Sequence, residues 1–253
     1  MPDTIASTQK RTVLKPPSGH PFLIPEPATR STTPKTLAIG AHSDDVELGC
    51  GGTLRRLAAA GAEVHLCILT SGLPAGESPP LNLAPREWEA VAGALTLGVP
   101  RERVHFLSLP DRGLHIHQHA IIRGIEEILG AAPGPPFDLM LTHTSEDTHG
   151  DHRAACEATR TAARNFFGTI LHYAAPSTRM ERFCPAFFVE LSESDLAAKV
   201  GAIHRHASQV NKPFMGRDRT RIRAEYWAQT QRLPPGRYAE AFEIGKIFWT
   251  NNN

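Results

Sequence analysis

LAIGAHSDDVELGCGGTL, residues Leu37 to Leu54, is the stretch on which the reading of this chain turns. A short apolar strand breaks at Gly40 and delivers His42, Asp44, Asp45 and Glu47 within six residues, before Gly51 and Gly52 pass the backbone into a helix. Carboxylates and an imidazole crowded at the end of a buried strand repel one another and cost desolvation unless a cation or a proton relay compensates them. A metal site is therefore the first expectation.

Outward from that stretch, short apolar runs alternate with helical periodicity. Leu37 to Ala41, Val64 to Thr70, Val104 to Leu107 and Phe137 to Thr142 read as strands. Helices are expected over about 48–60, 85–97, 118–131 and 152–166. This order implies an α/β fold: a Rossmann-like, mainly parallel sheet with helices on both faces, built by right-handed crossovers. Ligands of such sheets sit at the carboxyl ends of the strands. Beyond Phe167 the pattern loosens into a strand at Phe187 to Leu191, helices at Asp195 to His206 and Asp218 to Gln231, and a strand at Glu240 to Ile244. Residues 168–253 are thus expected to form a smaller C-terminal cap or extra layer on a single domain spanning 35–253. Residues 1–34 carry Pro2, Pro16, Pro17, Pro21, Pro25, Pro27 and Pro34 and read as a tail or strap that Phe22, Leu23 and Ile24 could dock.

The whole chain bounds the function. Of its 253 residues, 27 are basic and 26 acidic, a net charge of +1 that argues against nucleic acid or an anionic membrane as partner. A small molecule is the expected partner, and a homo-oligomer is left open. No run approaches the roughly 20 apolar residues of a membrane span, so a cytoplasmic protein is expected. Cys50, Cys67, Cys156 and Cys184 are scattered without a C-x-x-C pair and read as reduced, packed residues.

A second cluster, Thr142 to Arg153 (THTSEDTHGDHR), gathers His143, His149 and His152 with Glu146, Asp147 and Asp151 around an H-x-D-H core at 149–152. Hydrolytic zinc commonly takes three His or carboxylate ligands and leaves one position for water. His42 and Asp45 on one turn, with His152 from the later loop, would supply such a set.

These residues resemble a known family. AHSDDVELGCGGT at 41–53 followed by HGDHR at 149–153 is similar to the LmbE-like or PIG-L-type zinc deacetylases, which remove N-acetyl groups from glucosamine-containing compounds. Further matches are Thr70-Ser71-Gly72, Arg86-Glu87, Leu97-Gly98, Pro110-Asp111-Arg112-Gly113, Ser208-Gln209 and Tyr238 to Phe242. The resemblance implies one Zn²⁺ per chain on His42, Asp45 and His152, with Asp44 as general base. It implies that His149 stabilises the oxyanion or protonates the leaving amine, and that Asp151 orients a catalytic partner. Arg86 and Asp111 are expected on the sugar side of the pocket. The expected substrate is an N-acetylglucosamine-type sugar or its conjugate. Two departures stand: Ser43 replaces the family's usual proline, and Asp147 stands where some members carry a tyrosine that helps polarise the carbonyl.

Simpler readings compete. Asp44 could merely cap a helix, Asp151 could pair with Arg153, and Glu47 could buttress its loop. His115, His117 and His119 read as solvated, as does the basic run Arg217, Arg219, Arg221 and Arg223. Trp227 and Trp249 read as packing residues. Val46 to Thr53, VELGCGGT, resembles the glycine loop of S-adenosylmethionine-dependent methyltransferases, but no apolar strand enters it directly. A non-catalytic Rossmann-like binding module is the third alternative.

Overall fold

The computed structural model describes residues 35–73, 76, 85–132, 134 and 136–248, which fall within one compact unit. The expected strap over 1–34, most of the loop from 73 to 85, and Trp249 lie outside the described residues.

β1 (Lys35–Gly40) has all six residues buried, as a central strand covered on both faces requires. It pairs in parallel with β2 (Glu63–Thr70) on one side and β4 (Leu139–His143) on the other, Leu37 lying between His65 and Met140. β3 (Val104–Leu109) and β5 (Thr169–Tyr173) continue the parallel set outward. β7 (Tyr238–Lys246) and then β6 (Phe187–Leu191) add antiparallel pairings, for an order of β3-β2-β1-β4-β5-β7-β6. The mainly parallel sheet is as expected. The C-terminal part does not form a separate cap: its strands complete the sheet, because β7 hydrogen-bonds along β5. β5 itself escapes a sequence reading, since TILHY is short and carries His172, whose Nδ1 pairs with the His143 carbonyl at 2.9 Å.

α3 (Gln118–Ala131) and α4 (Gly150–Ala162) pack together on one face, where Ile121, Ile125, Ala155 and Ala158 meet Leu37, Ile39, Leu69 and Met140. α1 (Asp45–Ala59), α2 (Pro85–Leu97) and α5 (Glu193–Ile203) pack with one another, and α6 (Arg217–Thr230) lies on β7. Among the described residues no helix is long and apolar enough to cross a membrane.

α1 begins three residues earlier than expected and breaks at Cys50, whose φ of −139° is not helical. The break frees backbone amides in the second turn, and Glu240 of β7 accepts them: Gly52 N at 2.9 Å and Thr53 N at 2.7 Å. Lys199 of α5 donates to the same carboxylate at 2.5 Å. The glycines serve close packing. A Cβ on Gly49 would sit 2.1 Å from the Tyr173 ring, and one on Gly52 would sit 2.4 Å from Leu191 Cδ1. That space is filled by protein, so the stretch offers no nucleotide-type cradle, and the methyltransferase reading loses its motif.

Candidate metal centre

The strand order reverses between β1 and β4, and the two histidine- and acid-rich loops leave the carboxyl ends of those two strands. A parallel α/β sheet opens its crevice at this point. From β1, the His42 amide donates to Asp45 Oδ2 at 2.7 Å, closing a turn that puts the imidazole Nδ1 3.1 Å from the same oxygen. From β4, the loop returns through α4, whose His152 Nε2 lies 3.3 Å from Asp45 Oδ1 and 3.2 Å from His42 Nδ1. The two ring nitrogens stand 3.2 Å apart, each against a different oxygen of the Asp45 carboxylate. A tetrahedral zinc with bonds of about 2.0–2.1 Å separates neighbouring donors by roughly 3.3 Å, so the spacing of the two nitrogens fits such an ion.

The outer partners of each ring say which nitrogen faces inward. His152 Nδ1 meets Asp147 Oδ2 at 3.1 Å, and His42 Nε2 meets Asp111 Oδ1 at 3.2 Å and Asp151 Oδ2 at 3.5 Å. Asp147 takes the His152 Nδ1–H and Asp111 and Asp151 share the His42 Nε2–H, which leaves His152 Nε2 and His42 Nδ1 presenting lone pairs to one another beside the Asp45 carboxylate. That arrangement repels itself unless a proton or a cation stands among the three atoms. Burial disfavours the charged imidazolium, but the Asp45 carboxylate and the hydrogen bond that His152 donates to Asp147 prevail and hold His152 up at about 9. His42 is likewise raised against burial, Asp45 being the main cause. Asp45 is held well below the carboxylate range, against its own burial, by His152, His143 and His42. A basic, acid-rich, buried donor set of this kind suits a divalent metal that displaces those protons.

Other groups crowd the same centre. Donor atoms of Asp45, His143 and His152, of His42, His149 and His152, and of His42, Asp111 and Asp151 also lie within 4.8 Å of one another in each set. His143, given no role by the sequence reading, is fully buried, accepts from the Ala41 amide at 3.1 Å and lies 3.2 Å from Asp45 Oδ2. Burial, with the His152 charge, lowers it to about 4, so it is neutral. Its position at the last residue of β4 was the only signal for it.

Asp44 stands at the N-cap of α1 but makes no side-chain capping bond, so capping does not account for it. Its Oδ1 meets Arg86 Nη2 at 3.3 Å. Arg86, expected at the sugar, is thus placed against Asp44. His149 caps α4, its Nδ1 accepting from the Asp151 amide at 3.2 Å, so the ring proton resides on Nε2. Burial and the neighbouring His42 and His152 lower its pKa, which keeps it neutral. Asp151 does not pair with Arg153, which bonds the Asp147 and Thr148 carbonyls. It accepts the Arg112 and Leu114 amides at 2.9 and 3.0 Å and so pins the loop after β3 that presses Asp111 against His42. Asp111, expected on the sugar side, therefore touches a candidate ligand.

Asp147, which the sequence marks only as a departure from a tyrosine, has a role of its own. It is buried, with the Ser177 and Thr178 hydroxyls donating to its two oxygens at 2.6 and 2.9 Å and the His149 amide at 2.8 Å. These bonds aim it at His152. His115, His117 and His119 belong to no donor set among the described residues.

Comparison with known proteins bears on this centre. The family model for GlcNAc-PI de-N-acetylase, PIG-L, matches residues 37–163. The chain is 32% identical over 174 residues to the uncharacterized deacetylase YaiS of Escherichia coli (strain K12), covering 68% of this chain and 90% of that one. Among solved structures, N,N'-diacetylchitobiose deacetylase from Pyrococcus horikoshii superposes with a TM-score of 0.64 at 23% identity, covering 88% of this chain and 87% of that one. The 4-carboxy-2-hydroxymuconate hydratase GalB from Pseudomonas putida KT2440 superposes equally well, with a TM-score of 0.65 at 18% identity over 87% of this chain and 100% of that one. The architecture is thus shared by proteins of different reaction class, and the reaction has to be argued from the site.

Proposed function

Because the chain belongs to the GlcNAc-PI de-N-acetylase (PIG-L) family, we propose that it is a zinc-dependent N-deacetylase of an N-acetylglucosamine-type amino sugar or its conjugate, releasing acetate and a free amine. The observation that carries the proposal is the convergence of His42 Nδ1 and His152 Nε2, 3.2 Å apart, on the two oxygens of the Asp45 carboxylate at 3.1 and 3.3 Å, with the Asp44 carboxylate next to Asp45 in the chain. In this reading those three residues hold a single metal ion. Bound there, zinc supplies a Lewis acid that polarises an amide carbonyl and acidifies water.

The chain's own groups divide the remaining work. Arg86 holds Asp44 by Oδ1, and among the described residues Asp44 Oδ2 has no hydrogen-bond partner, so it is the oxygen left to accept the proton of the attacking water. His149 is neutral and carries its proton on Nε2, which makes it a hydrogen-bond donor to the developing oxyanion, while the proton that Asp44 accepts from the water is the one passed on to the departing nitrogen. Asp147 and Asp111 fix the rings of His152 and His42. His143, neutral and without an outward donor to solvent, forms the floor. Asp111 is also partly exposed, with a side chain 20% accessible, so one of its oxygens can meet a sugar hydroxyl.

The test is acetate release from a panel of N-acetylglucosaminyl compounds, with metal analysis of the same samples. Wild type should release acetate and carry about one metal ion per chain. Asp44→Asn should keep the metal and lose about 10²- to 10⁴-fold in kcat. Full activity in Asp44→Asn, or no acetate from any compound by metal-loaded wild type, would overturn the proposal.

A further inference from the structure

Glu47 and His206 have no part in the reaction as described, yet they form an ion pair in the interior: they are 1% and 0% exposed, and His206 Nε2 lies 3.2 Å from Glu47 Oε1. Apart from that ion-pair contact, neither the Glu47 oxygens nor the His206 nitrogens have a hydrogen-bond partner among the described residues. Against the pull of burial, the Glu47 carboxylate, with Asp44 and Glu89 adding to it, holds His206 above its ordinary pKa. A buried ion pair is a weak source of stability, and its best attested use is to fix the register of the elements that carry it.

The elements here are α1 and α2, and one stripe of α2 shows what is being registered. Arg86, Glu89, Gly93 and Thr96 are spaced i, i+3, i+7 and i+10, so they share a face of the helix. At the start of that face Arg86 Nη2 meets Asp44 Oδ1 at 3.3 Å. Glu89 then accepts the Ser208 amide and hydroxyl at 2.7 and 2.6 Å. Gly93 lies directly on the ion pair, where a Cβ would sit 2.3 Å from Glu47 Oε1 and 3.3 Å from His206 Nε2. Thr96 Oγ1 accepts from Arg205 Nε at 3.2 Å.

The last three of these contacts all involve the turn that follows α5, with Arg205, His206 and Ser208 gripping α2 along its length. Gln209 closes that turn, its amide donating to the His206 carbonyl at 2.9 Å. The first contact is the one the chemistry uses. Arg86 Nε is buried without a hydrogen-bond partner among the described residues, so the guanidinium goes where α2 takes it. A base displaced by about 1 Å can lose on the order of 10²-fold in rate, which makes the seating of α2 a condition for the work of Asp44.

We propose that His206 is a positioning residue: paired with Glu47, it locks α2 on α1 in the register that puts Arg86 on Asp44 Oδ1 and leaves Oδ2 for the water. Its effect on rate rests on the deacetylase reading, and its effect on Arg86 rests on the geometry alone. The role also gives the Ser208-Gln209 motif a task, since both residues hold the turn that carries His206.

The test uses the full-length, zinc-loaded protein and two variants. His206→Gln breaks the pair, and Glu47→Met with His206→Phe removes both charges while keeping the space filled and the fold intact. Three quantities are read: kcat and KM for acetate release, zinc affinity, and the ¹⁵N signal of the Arg86 guanidinium, assigned by its loss in Arg86→Lys. Both variants should shift the Arg86 signal and lower kcat about tenfold or more, with KM and zinc affinity near those of wild type. On an Arg86→Gln background, His206→Gln should cost little further, because the contact through which it acts is already gone. Wild-type kcat in the double variant, an unmoved Arg86 signal, full additivity with Arg86→Gln, or a loss of zinc affinity that matches the loss of kcat would each overturn the proposal. If His206→Gln does not fold, the double variant carries the test by itself. No acetate from any amino sugar, with the Arg86 signal still moving in the variants, would sink the deacetylase reading and leave the positioning role standing; acetate release with an unmoved Arg86 signal would do the reverse.

Discussion

Asp147→Asn isolates one atom-scale consequence of the site. The carboxylate uses both oxygens: Oδ2 takes His152 Nδ1–H at 3.1 Å and the Thr178 hydroxyl at 2.9 Å, while Oδ1 takes the His149 amide at 2.8 Å and the Ser177 hydroxyl at 2.6 Å. Asparagine has nearly the same shape but only one acceptor. With its NH₂ toward His152, two donors face each other and the ring must rotate or move its proton to Nε2, the atom needed for the metal. With its NH₂ reversed, the clash falls on the His149 backbone amide, and the start of α4 that carries His152 must shift. Neither orientation preserves the approach of His152 Nε2 to His42 Nδ1 and Asp45. Loss of an outer partner of this kind costs about 10- to 100-fold in metal affinity, or roughly 1.4–2.7 kcal/mol. The assay is competition for zinc against a chromophoric chelator, with circular dichroism and urea unfolding of the metal-free protein to confirm an intact fold. Zinc affinity equal to wild type in a folded Asp147→Asn protein would refute the argument that Asp147 sets the His152 tautomer.

Three further outcomes follow from the packing. Glu240→Leu leaves Lys199 buried without its partner and the Gly52 and Thr53 amides unmet, and should cost about 3–5 kcal/mol in urea unfolding; a loss below 1 kcal/mol would mean that the break in α1 needs no acceptor. Gly49→Ala drives a Cβ to within 2.1 Å of Tyr173 Cδ2 and should cost about 1–3 kcal/mol, whereas unchanged stability would return the glycine to a ligand-binding role. His206 and Glu47, both buried, pair at 3.2 Å, and against the pull of burial Glu47 raises the His206 pKa above its ordinary 6.5. A raised folded-state value gives stability that is fully present below about pH 6.5 and is lost as pH rises through the folded value. The stability gap between wild type and Glu47→Gln should therefore narrow from about pH 6.5 upward, and a gap that widens with pH would contradict the pairing.

Much of this protein was legible because its signals are local. Strand, turn and acidic cluster follow one another between Leu37 and Glu47, and H-x-D-H marks the second loop. Where reading failed, the cause was a contact distant in sequence. β5 is too short and too polar to announce itself, and it becomes a strand because β4 and β7 supply partners on both sides. The resemblance places Asp111 and Arg86 on the sugar side of the pocket, and it could not show that they also meet His42 and Asp44. Glu240 carried no signal of its service to a helix break 187 residues away.

By itself the sequence determined which residue types could hold a metal and which strand ends would carry them, since hydrophobic periodicity and ligand spacing are properties of neighbouring residues. Only the tertiary structure decided how those groups divide their tasks. It set His42 Nδ1 against His152 Nε2 at 3.2 Å and turned Asp147 into the partner of a ring. The physical reason is that hydrogen bonds act over about 3 Å, and in this chain the atoms that meet at that range come from loops about a hundred residues apart, brought together by the reversal of strand order between β1 and β4.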